Sequence, residues 1–387
     1  VLVLLSALAP LSTDMYLAAF PGMAAEFGVG ASTVQLTLTA FMVGLGVGQF
    51  VIGPISDSLG RRRLLLTCLF VCLLASVVCA LAPSAAVLIG ARAVQGALGG
   101  AGMVLGRAII ADRTRGPATL RFMNALMAAG SIAAVVSPVI GGQIVAWSGW
   151  RPVFWTLTGV VAFTLAVSVL VVPETLPRHL RHGGGFAEFT RGIGHVLSDR
   201  AYAAYLLTSM GTHGAFFAYI SGSPFVLQEH MGIGVRTFSF VFGVNAVGLV
   251  LATVLSIRLV SRVNALLLVR AGVGIVAVAT AVLLVLVHTG LPTMPMLVTL
   301  FIAVAAQGLV AGNVTGLAVS RARAHAGTAS ALLGALPFGF SAVMMPIVGL
   351  GYQPRTLGIV MLSCAVLAMA AVLWVPAAPP EATSPEP

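Results

Sequence analysis

The chain contains no lysine, and only 8% of its 387 residues are charged, against roughly 25% in soluble globular proteins. A soluble fold of this size must cover its surface with polar groups, and ten carboxylates with twenty arginines cannot do that. The shortage of acid leaves a net charge of +10. In a soluble protein that excess would suggest a nucleic-acid partner; here the arginines fall in short segments between apolar runs, where they set orientation in a membrane. Cysteine is sparse too. Cys68, Cys72, Cys79 and Cys364 all lie inside apolar runs with no His or carboxylate beside the first three, which excludes a disulfide framework and points to packing rather than metal binding. No Walker A sequence, HExxH, CxxC or Gly-x-Ser-x-Gly occurs, so neither an ATP-driven pump in one chain nor covalent catalysis has residues to stand on. Hydrophobic residues make up 59% of the chain, joined by 44 glycines, and mean hydropathy is +1.07. Only an integral membrane protein fits these figures.

About 20 apolar residues cross the hydrocarbon core as a helix. Stretches free of Asp, Glu and Arg run over 27–56, 64–91, 122–150, 152–173, 201–228, 237–257, 271–320, 324–354 and 356–380. His288-Thr289-Gly290-Leu291-Pro292 divides 271–320 into two. Residues 1–25, interrupted by Asp14, and 85–111, interrupted by Arg92 and Arg107, bring the total to twelve. The chain opens with Val inside an apolar run, from which we expect a short tail ahead of it rather than a cleaved signal peptide, since Pro10 and Asp14 interrupt the run. With twelve spans, sixteen arginines fall on one side and Arg151, Arg236 and Arg355 on the other, while Arg92 stays in the membrane. The positive-inside rule then puts both termini in the cytoplasm.

The longest inter-helix segment, 173–200, carries Gly183-Gly184-Gly185 and divides the chain into six helices plus six. Pro138-Val139-Ile140-Gly141 answers Pro346-Ile347-Val348-Gly349, Gln95-Gly96 answers Gln307-Gly308, and Pro21 and Pro224 are expected to end the first helix of each half. We therefore expect an all-α membrane protein: bundles over 1–172 and 201–375, a cytoplasmic linker over 173–200, and a disordered cytoplasmic tail over 376–387. Parallel six-helix repeats are the pattern of one large transporter class.

The strongest local signal is Gly53-Pro54-Ile55-Ser56-Asp57-Ser58-Leu59-Gly60-Arg61-Arg62-Arg63 between the second and third helices. Gly53 permits close helix approach, Asp57 caps or pairs at a helix end, and Gly60 supplies a turn. Arg61 and Arg62 are expected to hold the loop at an anionic leaflet. This segment resembles the loop signature of the major facilitator superfamily, G-x-L-a-D-r-x-G-r-k, with Ser58 where a basic residue is common. In the fourth helix, Leu88-x-x-x-Arg92-x-x-Gln95-Gly96 resembles the second signature, l-x-x-x-R-x-x-q-G. Ala133 to Gly142, with Ser137-Pro138 and Gly141-Gly142, resembles the antiporter signature g-x-x-x-G-P-x-x-G-G, with Ala133 and Ser137 in place of two glycines. Pro138 bends that helix while the glycines admit a neighbour, as a rocking interface requires. Ser12-Thr13-Asp14-Met15-Tyr16-Leu17, Gly149-Trp150-Arg151 and Pro173-Glu174-Thr175-Leu176-Pro177 are similar to the Bcr/CflA group of drug-resistance exporters, as are segments near 219–225 and 326–331. The resemblance covers nearly the whole chain. It implies proton-driven export of bicyclomycin, chloramphenicol, florfenicol or related small drugs across a bacterial cytoplasmic membrane, with no cofactor beyond the proton gradient.

Of the ten acidic residues, Asp14 alone lies well inside a span, and an intramembrane carboxyl is a functional hypothesis by default. Asp14 is the expected proton carrier and Arg92 its expected tuning partner. The alternatives are a helix-bend role for Asp14 and an Arg92 that snorkels to the interface. His213 either relays protons or packs. Tyr16, Phe41, Phe216, Phe217, Tyr219 and Phe242 are the expected apolar cavity wall, unless they face lipid, with Gln35, Asn245 and Asn313 as orienting polar groups. Partners implied are a small-molecule drug, protons and membrane lipid; no nucleic acid is implied, and one copy suffices because the cavity forms within the chain. A proton-coupled nutrient importer is the first alternative. It would carry more charge or sugar-binding polarity in its cavity. A membrane-embedded enzyme or receptor, the second, would show clustered catalytic residues or a sizeable soluble domain.

Overall fold

A computed structural model describes residues 1–114, 117–176, 193–290, 292–322, 326–350 and 353–375. The expected linker is thus seen only at its two ends, and the expected tail lies outside the described residues. Long helices occupy Ala31–Leu59, Arg61–Leu81, Ala85–Arg113, Pro117–Ser148 and Arg151–Val171 in the first half. In the second they occupy Arg200–Phe225, Val235–Leu259, Ala265–His288, Thr293–Arg321, Ala326–Val348 and Pro354–Leu373. With the N-terminal segment, these are the twelve spans. Helices are what apolar sequence must form in lipid, where only internal hydrogen bonds satisfy the backbone. Side chains cap the starts of some. Asp199 accepts from the Ala201 and Tyr202 amides at 2.8 and 2.9 Å, and Asn264 accepts from Leu266 at 2.8 Å.

Two features depart from expectation. The first span is not one helix: Leu2–Asp14 stops, a single 3-10 turn follows at Leu17–Ala19, and Phe20–Phe27 resumes. Pro21 therefore starts the second piece instead of ending a helix, and Pro224 lies inside Arg200–Phe225, which continues as a π-turn over Val226–His230. A proline in the first turn costs little because that amide has no helical partner anyway. Eleven helices among the described residues are long and apolar enough to cross a membrane; the seventh span, Arg200–Phe225, is long enough but more polar. Twenty of its 26 residues are buried. A helix surrounded by protein meets little lipid and tolerates Ser, Thr and Tyr at this depth.

The two halves repeat one packing plan. The fourth span packs on the second and third, the sixth on the third, and the fifth on the first; the tenth, twelfth and eleventh repeat these contacts against the eighth, ninth and seventh. Gly96 sits so close to the second span that a Cβ there would strike the Phe41 carbonyl, and Gly308 stands in the same relation to the Leu249 carbonyl. The halves meet where the second span packs on the eleventh and the fifth on the eighth. Their contacts concentrate on the side away from the termini, here the far side. Gln35 Nε2 donates to the Ser221 carbonyl at 3.0 Å, Gln228 Nε2 to Ala18 at 3.1 Å and Thr39 Oγ1 to Ala342 at 3.2 Å. Gly142 presses on the Ser239 side chain, and Gly349 on the Ser32 backbone and the Gln35 amide.

Candidate functional site: a central cavity and the break in the first span

Pro10 removes an amide inside the first helix, and the Thr13 hydroxyl bonds back to the Ala9 and Pro10 carbonyls, both of which weaken the helix ahead of Asp14. The helical hydrogen-bond ladder is then interrupted at Met15 and Tyr16, whose backbones stay in the right-handed region, and a tighter turn closes from Ala19 to the Tyr16 carbonyl at 2.9 Å. Irregular backbone at membrane depth needs protein around it or a cavity beside it, and here it has both. Gly141 of the fifth span lies directly against Met15, closer than any Cβ would allow. On the other side Tyr16 is fully buried, its hydroxyl 3.1 Å from Thr37 Oγ1 and its ring against Phe20 and Phe154.

Asp14 faces a cavity of about 400 Å³ between the halves. Phe216, Phe217, Tyr219 and Phe242 form one wall with Phe338. Tyr219 stacks on Phe242 at 5.5 Å, and Asn245 Nδ2 donates to the Tyr219 hydroxyl at 2.7 Å, so the polar tip is held by a wall residue. Met42, Leu45, Gln49, Met103 and Arg107 line the other side. The hydroxyls of Thr13 and Ser137 lie beside the Asp14 carboxyl, and no cation among the described residues forms an ion pair with it.

Arg92 neither pairs with Asp14 nor snorkels. It is completely buried in the first half, its guanidinium 4.5 Å from the Tyr16 ring centroid and 4.2 Å from that of Phe41. One nitrogen donates to Gln95 Oε1 at 2.6 Å, and Gln95 Nε2 donates to Ser76 at 2.8 Å. Two aromatic faces thus take the place of a counter-ion. Tyr16 and Phe41, expected at the cavity wall, are the slices around this cation. Gln35 is part of the far-side closure, and Asn313 donates to Ser256 at 2.8 Å away from the cavity lining. His213 is half-buried behind the wall, with Nδ1 on the Ser209 carbonyl at 2.9 Å and its ring edge-on to Phe338.

The loop signature builds a clamp inside the first half. Gly60, at φ 94°, ends the second span and starts the third, a backbone conformation that favours glycine. Arg61 reaches Ser56 and Asp112, its own amide donates to Glu174 Oε1 at 2.9 Å, and Thr175 Oγ1 donates to Asp112 at 2.9 Å. Arg62 donates to the Val169 carbonyl at 2.9 Å. These arginines bind protein groups, contrary to the expectation that lipid holds them. Asp112 escaped the sequence reading, and Glu174 entered it only within a family motif, because partners so far apart in the chain leave no local spacing. Gly53 and Asp57 fall in the second span, with their surroundings outside the described residues. Pro138 lies within the fifth helix and Ser137 is buried beside it.

Comparison with known proteins agrees with this architecture. The profile of the Major Facilitator Superfamily matches residues 2–346. An uncharacterized MFS-type transporter, YdgK of Bacillus subtilis, is 37% identical over 90% of this chain and 87% of its own. The bicyclomycin resistance protein homolog of Haemophilus influenzae is 28% identical over 89% and 87%, and a chloramphenicol resistance protein of Pseudomonas aeruginosa is 32% identical over 72% and 65%. Among solved structures, the nucleoside transporter NupG superposes with a TM-score of 0.78 at 12% identity, covering 96% of this chain and 98% of that one. A bacterial homologue of the lysosomal transporter Spinster gives 0.74 at 17% identity over 97% and 94%. The chain belongs to the major facilitator superfamily of membrane transporters, and its kinship there is with the Bcr/CflA group.

Proposed function

We propose that the protein is a proton-coupled antiporter that exports small, largely apolar drugs from the bacterial cytoplasm. The observation that carries this is the cavity: about 400 Å³, aromatic-walled, with the halves in contact on its far side, lined by Asp14, to which no cation among the described residues is paired. A pocket of that size suits a drug-sized molecule. Relatives named for resistance to bicyclomycin, to chloramphenicol and to multiple drugs support the substrate class. The partition of sixteen arginines against three puts the terminal side in the cytoplasm, which makes this an inward-facing state.

In the cycle we envisage, deprotonated Asp14 and the cavity accept a drug from the cytoplasm. Rocking of the bundles over 1–172 and 201–375 breaks the far-side contacts, and a proton from outside neutralises Asp14 and favours release. The proton then leaves to the cytoplasm. Because Asp14 sits at the turn in the first span, its charge state bears directly on a segment packed against Gly141 at Met15. Everted vesicles with an acidified lumen test this. Adding chloramphenicol should trigger proton efflux from the lumen, and Asp14→Asn should abolish it. Efflux persisting in the variant would remove Asp14 from the proton path, while silence from the parent protein across a panel of neutral antibiotics would overturn drug export itself.

A further inference from the structure

Asp14 is not the only charge in the cavity. Arg107 lines both the central cavity and an adjoining space of about 230 Å³ between the second, fourth and eleventh spans, where Gln49 and Ser330 are its polar neighbours. Its Nε donates to the Met103 carbonyl at 3.1 Å, and no carboxylate among the described residues pairs with it. From its place near a helix end Arg107 reads as one more interfacial arginine. The structure instead turns it into the passage that leads to Asp14.

The two charges stand at different depths. Gly102 faces Leu5, so these two share a level. Asp14 follows Leu5 by nine residues toward the far side, and Arg107 follows Gly102 by five toward the termini. At about 1.5 Å per residue their backbones are on the order of 20 Å apart along the axis. Anything entering from the terminal side passes the cation before it reaches the carboxyl. A charge that lines a passage repels a passing ion of the same sign even where water reaches it.

We infer that Arg107 is a specificity-determining residue. It admits neutral molecules that carry an electron-rich acceptor such as a nitro, sulfonyl or carbonyl group, and it rejects permanent lipophilic cations. The acceptor group of the substrate meets Arg107 and Gln49 on the way in, before the molecule reaches Asp14 among the aromatic rings. The inference rests on the export function proposed above, and it concerns selection, not coupling: Arg107 holds no exchanged proton.

The test is binding of chloramphenicol and of tetraphenylphosphonium to the purified full chain, with Arg107→Gln and Arg107→Lys alongside, and proton efflux in vesicles for each. The parent should bind chloramphenicol and discriminate against the cation. In Arg107→Gln the ratio of the two affinities should shift toward the cation by roughly tenfold, the scale of one removed like-charge contact. Arg107→Lys should keep the parental ratio, which separates charge from folding. An unchanged ratio in Arg107→Gln, with chloramphenicol still moving protons, overturns the role of Arg107 and leaves export standing. A parent that prefers the phosphonium also overturns it. A parent that neither binds nor responds to either compound sinks both proposals together.

Discussion

The two halves share a scaffold and divide the chemistry. Among the described residues, every charge at the cavity or buried beside it belongs to the first half: Asp14, Arg92 and Arg107. The second half contributes the aromatic wall of Phe216, Phe217, Tyr219, Phe242 and Phe338. Position 304, where the offset of the Gln-Gly pairs puts the partner of Arg92, is a valine that lines the cavity. The first span is broken at its carboxyl, whereas the seventh runs unbroken from Arg200 to Phe225. One fold thus supports a half that holds the charges and a half that supplies the aromatic wall, and packing that needs only geometry is retained in both.

The largest effect should come from the charged half. Asp14→Asn should eliminate drug-triggered proton movement while leaving chloramphenicol binding within severalfold of the parent, because the aromatic wall proposed to hold the drug is left intact. The reverse pattern, binding lost and coupling kept, would break the division at its centre.

Next in size are the glycines that copy the scaffold. In Gly96→Ala the new methyl meets the Phe41 carbonyl, and in Gly308→Ala it meets the Leu249 carbonyl at 2.6 Å. Backbone cannot yield as a side-chain tip does, so each should cost about 1–3 kcal/mol, read as a lower melting temperature in detergent. Gly96→Ala should cost more, because that approach is the closer and the seam of the second and fourth spans also carries Gly44, Gly48 and Gly100. Equal or reversed losses would mean that the two seams are not equivalents. Smaller again, Phe217→Ala and Phe242→Ala should each weaken chloramphenicol binding by roughly five- to tenfold, the cost of truncating a buried aromatic anchor. Proton transport driven by saturating drug should persist in both.

Sequence carried the scaffold well because lipid imposes it. Apolar runs have to be helices, arginine counts follow the loops, and Gln-Gly pairs repeat because two backbones must approach. It carried the site less well. Depth in the membrane follows from position along a span, but the face a side chain presents follows from helix rotation, which neighbours decide. Tyr16 and Phe41 were expected in the cavity and instead sandwich Arg92; Arg107 looked interfacial and lines the passage. The break at Asp14 has its cause in Gly141 and Tyr16 as much as in Pro10, and no local pattern shows a contact made 126 residues away by Gly141 on Met15.

The smallest predicted effect concerns the place where the halves touch. Gln35 of the first half donates to the Ser221 carbonyl of the second at 3.0 Å. A single bond of this kind contributes about 0.5–1.5 kcal/mol, so Gln35→Ala should favour the far-side-open state by about two- to tenfold. Ser223, two residues further along the seventh span, is fully buried, and a Ser223→Cys probe, with the four native cysteines replaced, reports the opening as labelling by a membrane-impermeant thiol reagent from the far side. Gln35→Ala should raise that labelling rate within the stated range, and chloramphenicol should raise it again through the transport cycle. A rate that Gln35→Ala leaves untouched would mean that the remaining contacts, Gln228 to Ala18, Thr39 to Ala342, Gly142 on Ser239 and Gly349 on Ser32, hold the closure without it. Closure would then belong to the shared scaffold, and the division between the halves would be confined to the cavity.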